Sequence, residues 1–179
     1  MLSAKAKYGL KAVVRLAMES QSRPVLGADL ATQERIPKKF LEQILLELKH
    51  RGLLQTKRGR NGGYLLTRSS SDITVGQIVR ALDGPISPLS CVSETAYVKA
   101  CDYCYNEATC GTHLVMKQVR DAMSRILDST SLADVVRMIA VASHSDTQAV
   151  PSPVSSGAKR PGPVGLAVRH TGLQGKLRR

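Results

Sequence analysis

The segment after Gly52 constrains the fold of this chain more than any other. Leu53 to Thr56 and Tyr64 to Thr67 read as two short strands, and between them lies Lys57-Arg58-Gly59-Arg60-Asn61-Gly62-Gly63, a turn holding three glycines and three cations. Glycines permit positive φ and close backbone approach. Cations at the tip of such a hairpin, here Arg58 and Arg60, are placed to enter a minor groove, where negative potential is concentrated. A solvated basic hairpin is the plain alternative, and the residues upstream decide between the two.

Ser3 is positioned to cap a helix running to about Ser20, with Ala6, Leu10, Val13, Val14, Ala17 and Met18 on its apolar side and Lys5, Lys7, Lys11 and Arg15 opposite. Pro24 punctuates the chain. A short helix follows over residues 27 to 34 with Leu30 and Ala31 inward, and Ile36 is the apolar residue of the next turn. Pro37 suits the first position of a third helix, whose buried side is Phe40, Leu41, Ile44, Leu45 and Leu48, and which Gly52 terminates. Two short helices joined by a tight turn describe a helix-turn-helix, although helix pattern alone fits a plain three-helix bundle equally well. The cationic hairpin directly downstream favours a winged helix-turn-helix over residues 1 to 84. Aromatic residues make up only 3% of the chain, with no Trp, so the core rests on aliphatic side chains and the protein is expected to be mainly α.

A further short helix lies within residues 72 to 83, with Val75, Ile78, Val79 and Leu82 inward, and residues 85 to 111 form a cysteine-bearing loop. A long helix from about Thr112 to Leu127 then carries Val115, Met116, Val119, Met123, Ile126 and Leu127, more apolar surface than one small winged domain needs. Pairing with its copy would cover that surface, so a homodimer is expected. Ser131 caps a last helix through Ala142, and residues 112 to 143 are read as dimerisation helices. From residue 144 to 179 the chain is rich in Pro and Gly and without periodicity, a disordered basic tail. The fold class expected is therefore mainly α: a winged helix-turn-helix with a small two-stranded wing and a long C-terminal dimerisation helix.

Charge is segregated. Residues 1 to 68 hold 14 Lys and Arg against 5 Asp and Glu, whereas residues 69 to 144 hold 6 against 8. The positive field over the helix-turn-helix points to double-stranded DNA, since each neutralised phosphate releases counterions. No apolar run is long enough to span a membrane and lysines interrupt the start of the chain, so a cytoplasmic protein without a membrane partner is expected. His50, His144 and His170 are scattered, no phosphate-binding glycine loop follows a strand, and no nucleophile and base are paired by spacing, so an enzyme is not expected.

Cys91, Cys101, Cys104 and Cys110 are followed by His113. In a chain without secretion signals such a cluster favours metal ligands or reactive thiols over structural disulfides. Read from the residues alone, Cys101, Cys104, Cys110 and His113 satisfy a Cys3His zinc tetrahedron, and metal-free thiol sensing is the other option.

Several stretches resemble the IscR-like, or Rrf-type, winged-helix regulators of bacteria: Lys7-Tyr8-Gly9-Leu10, Leu41-Glu42-Gln43, Arg58 to Leu66, Ile73 to Ile78, and Leu127 to Asp134, together covering about residues 1 to 140. The resemblance implies a homodimeric transcriptional regulator, a repressor of pseudo-palindromic operators. It places Lys38, Lys39, Glu42 and Gln43 on the recognition helix and Arg58, Arg60 and Asn61 in the wing as DNA-binding residues. Gln suits adenine, and Glu suits the cytosine amino group. A helix-surface pair with Lys38 is the plain alternative for Glu42. For the cysteines the resemblance implies a [2Fe-2S] cluster responding to iron or redox status, held by Cys91, Cys104 and Cys110 with His113 as the fourth ligand and Cys101 as a substitute. The gap from Cys91 to Cys104 departs from the family pattern, which leaves the first ligand open. Zinc, metal-free thiols and a protein-interaction role for the winged domain stand as the alternatives.

Overall fold

The computed structural model describes residues 2–19, 23–59, 62–95 and 106–146. Six helices and one hairpin are named within them: α1 (Ala4–Met18), α2 (Gly27–Glu34), α3 (Lys38–His50), β1 (Leu54–Lys57), β2 (Gly63–Leu66), α4 (Val75–Asp83), α5 (Gly111–Ser129) and α6 (Leu132–Asp146), with single 3₁₀ turns at Ser90–Val92 and Glu107–Thr109. The architecture is a winged helix-turn-helix followed by a long helix and a last helix, as expected.

Local chemistry accounts for the helix ends. The Ser3 side chain accepts from the Ala6 N–H to cap α1, and Thr74 does the same for α4 through Gln77. At α6, Ser131 and Asp134 cap each other: Ser131 Oγ accepts from the Asp134 N–H at 3.1 Å, and Asp134 Oδ2 accepts from the Ser131 N–H at 2.8 Å. Gly52, at φ 72°, ends the α3 turn as anticipated. Pro37 stands one position outside α3, as its N-cap, instead of opening it.

One core holds the domain together. Leu30, Leu41, Ile44, Leu45, Leu48, Leu54, Ile73, Ile78 and Leu132 are fully buried in it, joined by Ala6, Ala12, Val13 and Leu16 of α1. The buried line of α1 is thus Ala6, Gly9, Ala12, Val13 and Leu16, rotated from the expected one. Met18 is 47% exposed and Leu10 and Val14 are only partly buried. Gly9 is the reason: a Cβ there would overlap Leu82 of α4, so its bare backbone lets α4 seat on α1 and turns that side inward. Phe40 meets Tyr8 edge to face at 5.8 Å between ring centroids.

The hairpin pairs antiparallel with Leu54 opposite Leu66 and Lys57 opposite Gly63. Both strands sit one residue nearer the tip than the sequence suggested. Just past the last named pair, the Thr67 N–H still donates to Leu53 O at 3.2 Å, and its hydroxyl donates to the Gly52 carbonyl at 2.6 Å. Val25 adds a third, one-residue strand, giving the Tyr64 carbonyl a hydrogen bond at 3.0 Å and accepting one from the Tyr64 N–H at 2.8 Å. This contact joins residues 39 apart in the chain and has no local sequence signature.

α6 extends to Asp146, into the stretch from residue 144 expected to be tail. Its first residue, Leu132, belongs to the winged domain's core, and its start is stitched to the residues ahead of α4. The Leu132 N–H donates to Ile73 O at 2.9 Å, and the Val75 N–H donates to Thr130 O at 2.9 Å. Residues 147–179, read above as part of a basic tail, lie outside the described residues.

Candidate nucleic-acid interface and cysteine site

α3 buries Leu41, Ile44, Leu45 and Leu48 and therefore presents the rest of its surface outward. Lys38, Lys39, Glu42 and Gln43 are exposed on it, and Arg58 is exposed beside the glycine turn. None of the five has a hydrogen-bond or ion-pair partner among the described residues, and the alternative for Glu42, a surface pair with Lys38, does not form. The neighbouring charges behave differently, since Lys5 pairs with Glu47 at 3.0 Å and Lys11 with Glu34 at 3.5 Å. On α3 the side turned away from the core thus presents unpaired cations and an amide. Leu46, 50% exposed, lies among them on the same helix. Arg60 and Asn61, expected to work with Arg58, lie outside the described residues.

The hairpin that carries Arg58 is held rigidly at its base. Gly63, at φ 152°, passes so close to the Val25 backbone that any Cβ would overlap it.

Of the expected sulfur ligands, Cys91 and Cys110 are described and both are half-buried; Cys101 and Cys104 lie outside the described residues. Cys91 is in the Ser90–Val92 turn, and Cys110 is the N-cap residue of α5. Both the Ser90–Val92 and the Glu107–Thr109 turns pack against α5. His113 occupies the first turn of α5, and its Nδ1 is buried with no hydrogen-bond partner among the described residues. A buried imidazole nitrogen without a partner is costly. Thiolates and imidazole are donors that a metal or cluster takes, but the described residues bring no three such ligands together, and Cys91, Cys110 and His113 do not by themselves form a site.

α5 has two unlike sides. Val115, Val119, Met123 and Ile126 form an exposed apolar stripe, with exposures from 38% to 63%. The opposite side faces α4 and the cysteine segment, and the one residue of α5 that is buried on it is Arg120, at 8%. Sequence reasoning did not single out Arg120, although its spacing of seven from His113 puts both on the helix side opposite the stripe.

The far end of α5 is bound to α4. Arg80 holds Asp128 through two hydrogen bonds, at 2.5 and 2.8 Å. The hydrogen bond from Arg80 keeps the Asp128 carboxyl below the ordinary carboxylate range against some desolvation, and the same bond raises Arg80. Gly76 makes room for the pair, since a Cβ there would overlap Asp128. At the start of α6, hydrogen bonds from Ser131 and then Arg137 bring Asp134 down to about 2.

Comparison with known proteins accords with this arrangement. The model of the Rrf2 family, described as iron-dependent transcriptional regulators, matches residues 2–138. An rrf2-like HTH-type transcriptional regulator of Rhodobacter capsulatus is 39% identical over 139 residues, covering 76% of this chain and 92% of that one. Among solved structures, CymR, the global cysteine regulator of B. subtilis, matches with a TM-score of 0.64 and 31% identity over 77% of this chain and 97% of its own. The IscR of T. potens matches with a TM-score of 0.61 and 26% identity over 85% and 93%.

Proposed function

Because this chain belongs to the Rrf2 family of winged-helix transcriptional regulators, whose members here are regulators and not enzymes, we propose that it is a homodimeric, sequence-specific DNA-binding repressor that reports iron or redox status through a [2Fe-2S] cluster. One observation carries the DNA half of this reading: Lys38, Lys39, Glu42, Gln43 and Arg58 are exposed and unpaired on the recognition helix and wing. The helix side chains suit base edges in a major groove, and Arg58, with Arg60 and Asn61, suits the adjacent minor groove. The operator is double-stranded DNA, and the setting is the cytoplasm.

The apolar stripe of α5 supports the homodimer. Four large apolar side chains exposed along one helix side form a patch that water disfavours, and a second copy in the same geometry would cover it.

Cys91, Cys104 and Cys110 would hold the cluster, with His113 as fourth ligand and Cys101 as substitute. The orphaned His113 Nδ1 supports this set. When bound, a cluster with one imidazole ligand supplies a centre sensitive to redox state and proton uptake. The chain's own part is transmission. α5, 19 residues or about 28 Å long, carries Cys110 and His113 at one end and Asp128 at the other. Asp128 grips α4, which packs on α1 and α3. A shift of α5 is thus passed to the recognition helix, and a coupling of about 1 to 3 kcal/mol gives about a 5- to 150-fold change in operator affinity.

A second reading, direct sensing by metal-free thiols, draws on the likeness to CymR. Zinc in a Cys3His site is the third. Protein purified without oxygen distinguishes them: about two iron and two acid-labile sulfide per subunit are expected, with loss of colour in Cys104→Ala and Cys110→Ala and a milder loss in His113→Ala. One zinc per subunit, or metal-free protein, would replace the cluster with the corresponding rival.

A further inference from the structure

We propose that Arg120 is a positioning residue: it pins the segment from Ser90 to Glu94 onto α5 and thereby sets where Cys91 stands relative to the end of the helix that carries Cys110 and His113. The relevance to sensing rests on the reading above, but the pin itself does not.

An arginine is an unusual choice for the single buried position of a helix, because taking a guanidinium out of water is costly unless its donors are met. Here they are met, in part by the cysteine segment and in part by Asp121 of α5 itself. Arg120 Nη1 donates to the Val92 carbonyl at 2.9 Å and lies 3.2 Å from Glu94 Oε1. Nε and Nη2 both bond Asp121 Oδ1, at 2.8 and 2.5 Å. The planar fork serves strap and helix together, which the single ammonium nitrogen of a lysine would not reproduce. Glu94 is 74% exposed, so its ion pair adds little, and the tether is the hydrogen bond to the buried Val92.

The tether acts on Cys91 by simple geometry. Helical side chains lean toward the helix N-terminus, so the guanidinium stands over the turn preceding Arg120, on the His113 side. His113 lies seven residues before Arg120 on the same side, about 10.5 Å along the axis. Cys91 adjoins Val92, with their Cα atoms about 3.8 Å apart. Holding the Val92 carbonyl therefore holds Cys91 against this side of α5. Without the fork, the segment loses the hydrogen bond that ties the Val92 carbonyl to α5.

Timed alkylation of the full-length, reduced, metal-free protein with iodoacetamide, read residue by residue by mass spectrometry, tests the pin. In Arg120→Met, which keeps the apolar stem, Cys91 should be labelled about fivefold faster than in the wild type, the factor set by one lost hydrogen bond in a local opening. Cys110 should keep its rate, and Glu94→Gln should leave both rates unchanged. Should Arg120→Met fail to fold by circular dichroism, Arg120→Lys should show the same selective acceleration, because charge is kept and the fork is lost. A wild-type Cys91 rate in a folded variant, or an equal acceleration of Cys91 and Cys110, would overturn the pin, the latter by showing general loosening. Iron content is a separate readout: wild-type protein without iron would sink the cluster reading and leave the alkylation result standing.

Discussion

Replacing Gly63 with alanine strikes the wing at its base. At φ 152° Gly63 occupies a backbone region essentially reserved for glycine, which costs an alanine about 1 to 3 kcal/mol. The added Cβ would also overlap the Val25 backbone and stand 3.0 Å from the Leu26 nitrogen. Relief requires the strand to move off Val25, giving up the two hydrogen bonds between Val25 and Tyr64 at 3.0 and 2.8 Å, each worth about 1 kcal/mol. The combined loss is about 3 to 5 kcal/mol. For a folded body of this size it lowers the thermal midpoint by about 10 °C or more. Thermal unfolding followed by circular dichroism at fixed protein concentration measures it. Gly52→Asn is the control, because Gly52 has φ 72° but open space around it, and asparagine tolerates the left-handed region; its loss should stay under about 1 kcal/mol. A drop of less than about 3 °C for Gly63→Ala, the effect of about 1 kcal/mol, would refute the reasoning, since it would mean that the wing base does not need the close approach.

Arg58→Ala should weaken operator binding while leaving the thermal midpoint unchanged, and should flatten the salt dependence of affinity by about one unit of slope in a fluorescence anisotropy titration; an unaltered salt titration would remove Arg58 from the interface. Val119→Asp places a charge in the exposed stripe of α5 and should give monomers by sedimentation velocity; a wild type that is itself monomeric would refute the dimer. Asp128 and Asp134 both titrate below their ordinary value of about 3.9. Depressed carboxylates stabilise the fold above that ordinary value and lose this as pH falls through the folded value, so stability should decline between about pH 4 and 2. Asp134→Asn should flatten the lower part of that decline in urea titrations run across this pH range, and an unchanged profile would count against the Ser131–Asp134 cap.

Local features of the chain made much of this protein legible. Ser3 and Ser131 announce helix starts, Gly52 a stop, and the three glycines and three cations of residues 57 to 63 a hairpin tip, because caps, turns and positive φ are decided within a few residues. The buried sides of α3 and α4 followed from spacing for the same reason, since a helix repeats every 3.6 residues whatever it packs against. The outward face of α3 came with them, by subtraction. The tertiary structure alone decided which surfaces meet. Val25 completes the wing from 39 residues away, Gly9 turns α1 inward because Leu82 arrives from another helix, Leu132 leaves the last helix to join the first domain's core, and Arg120 is buried only because Val92 and Glu94 are brought to it. Such partners are chosen by fit and by satisfied polar groups between distant segments, and no window of sequence holds both members of the pair.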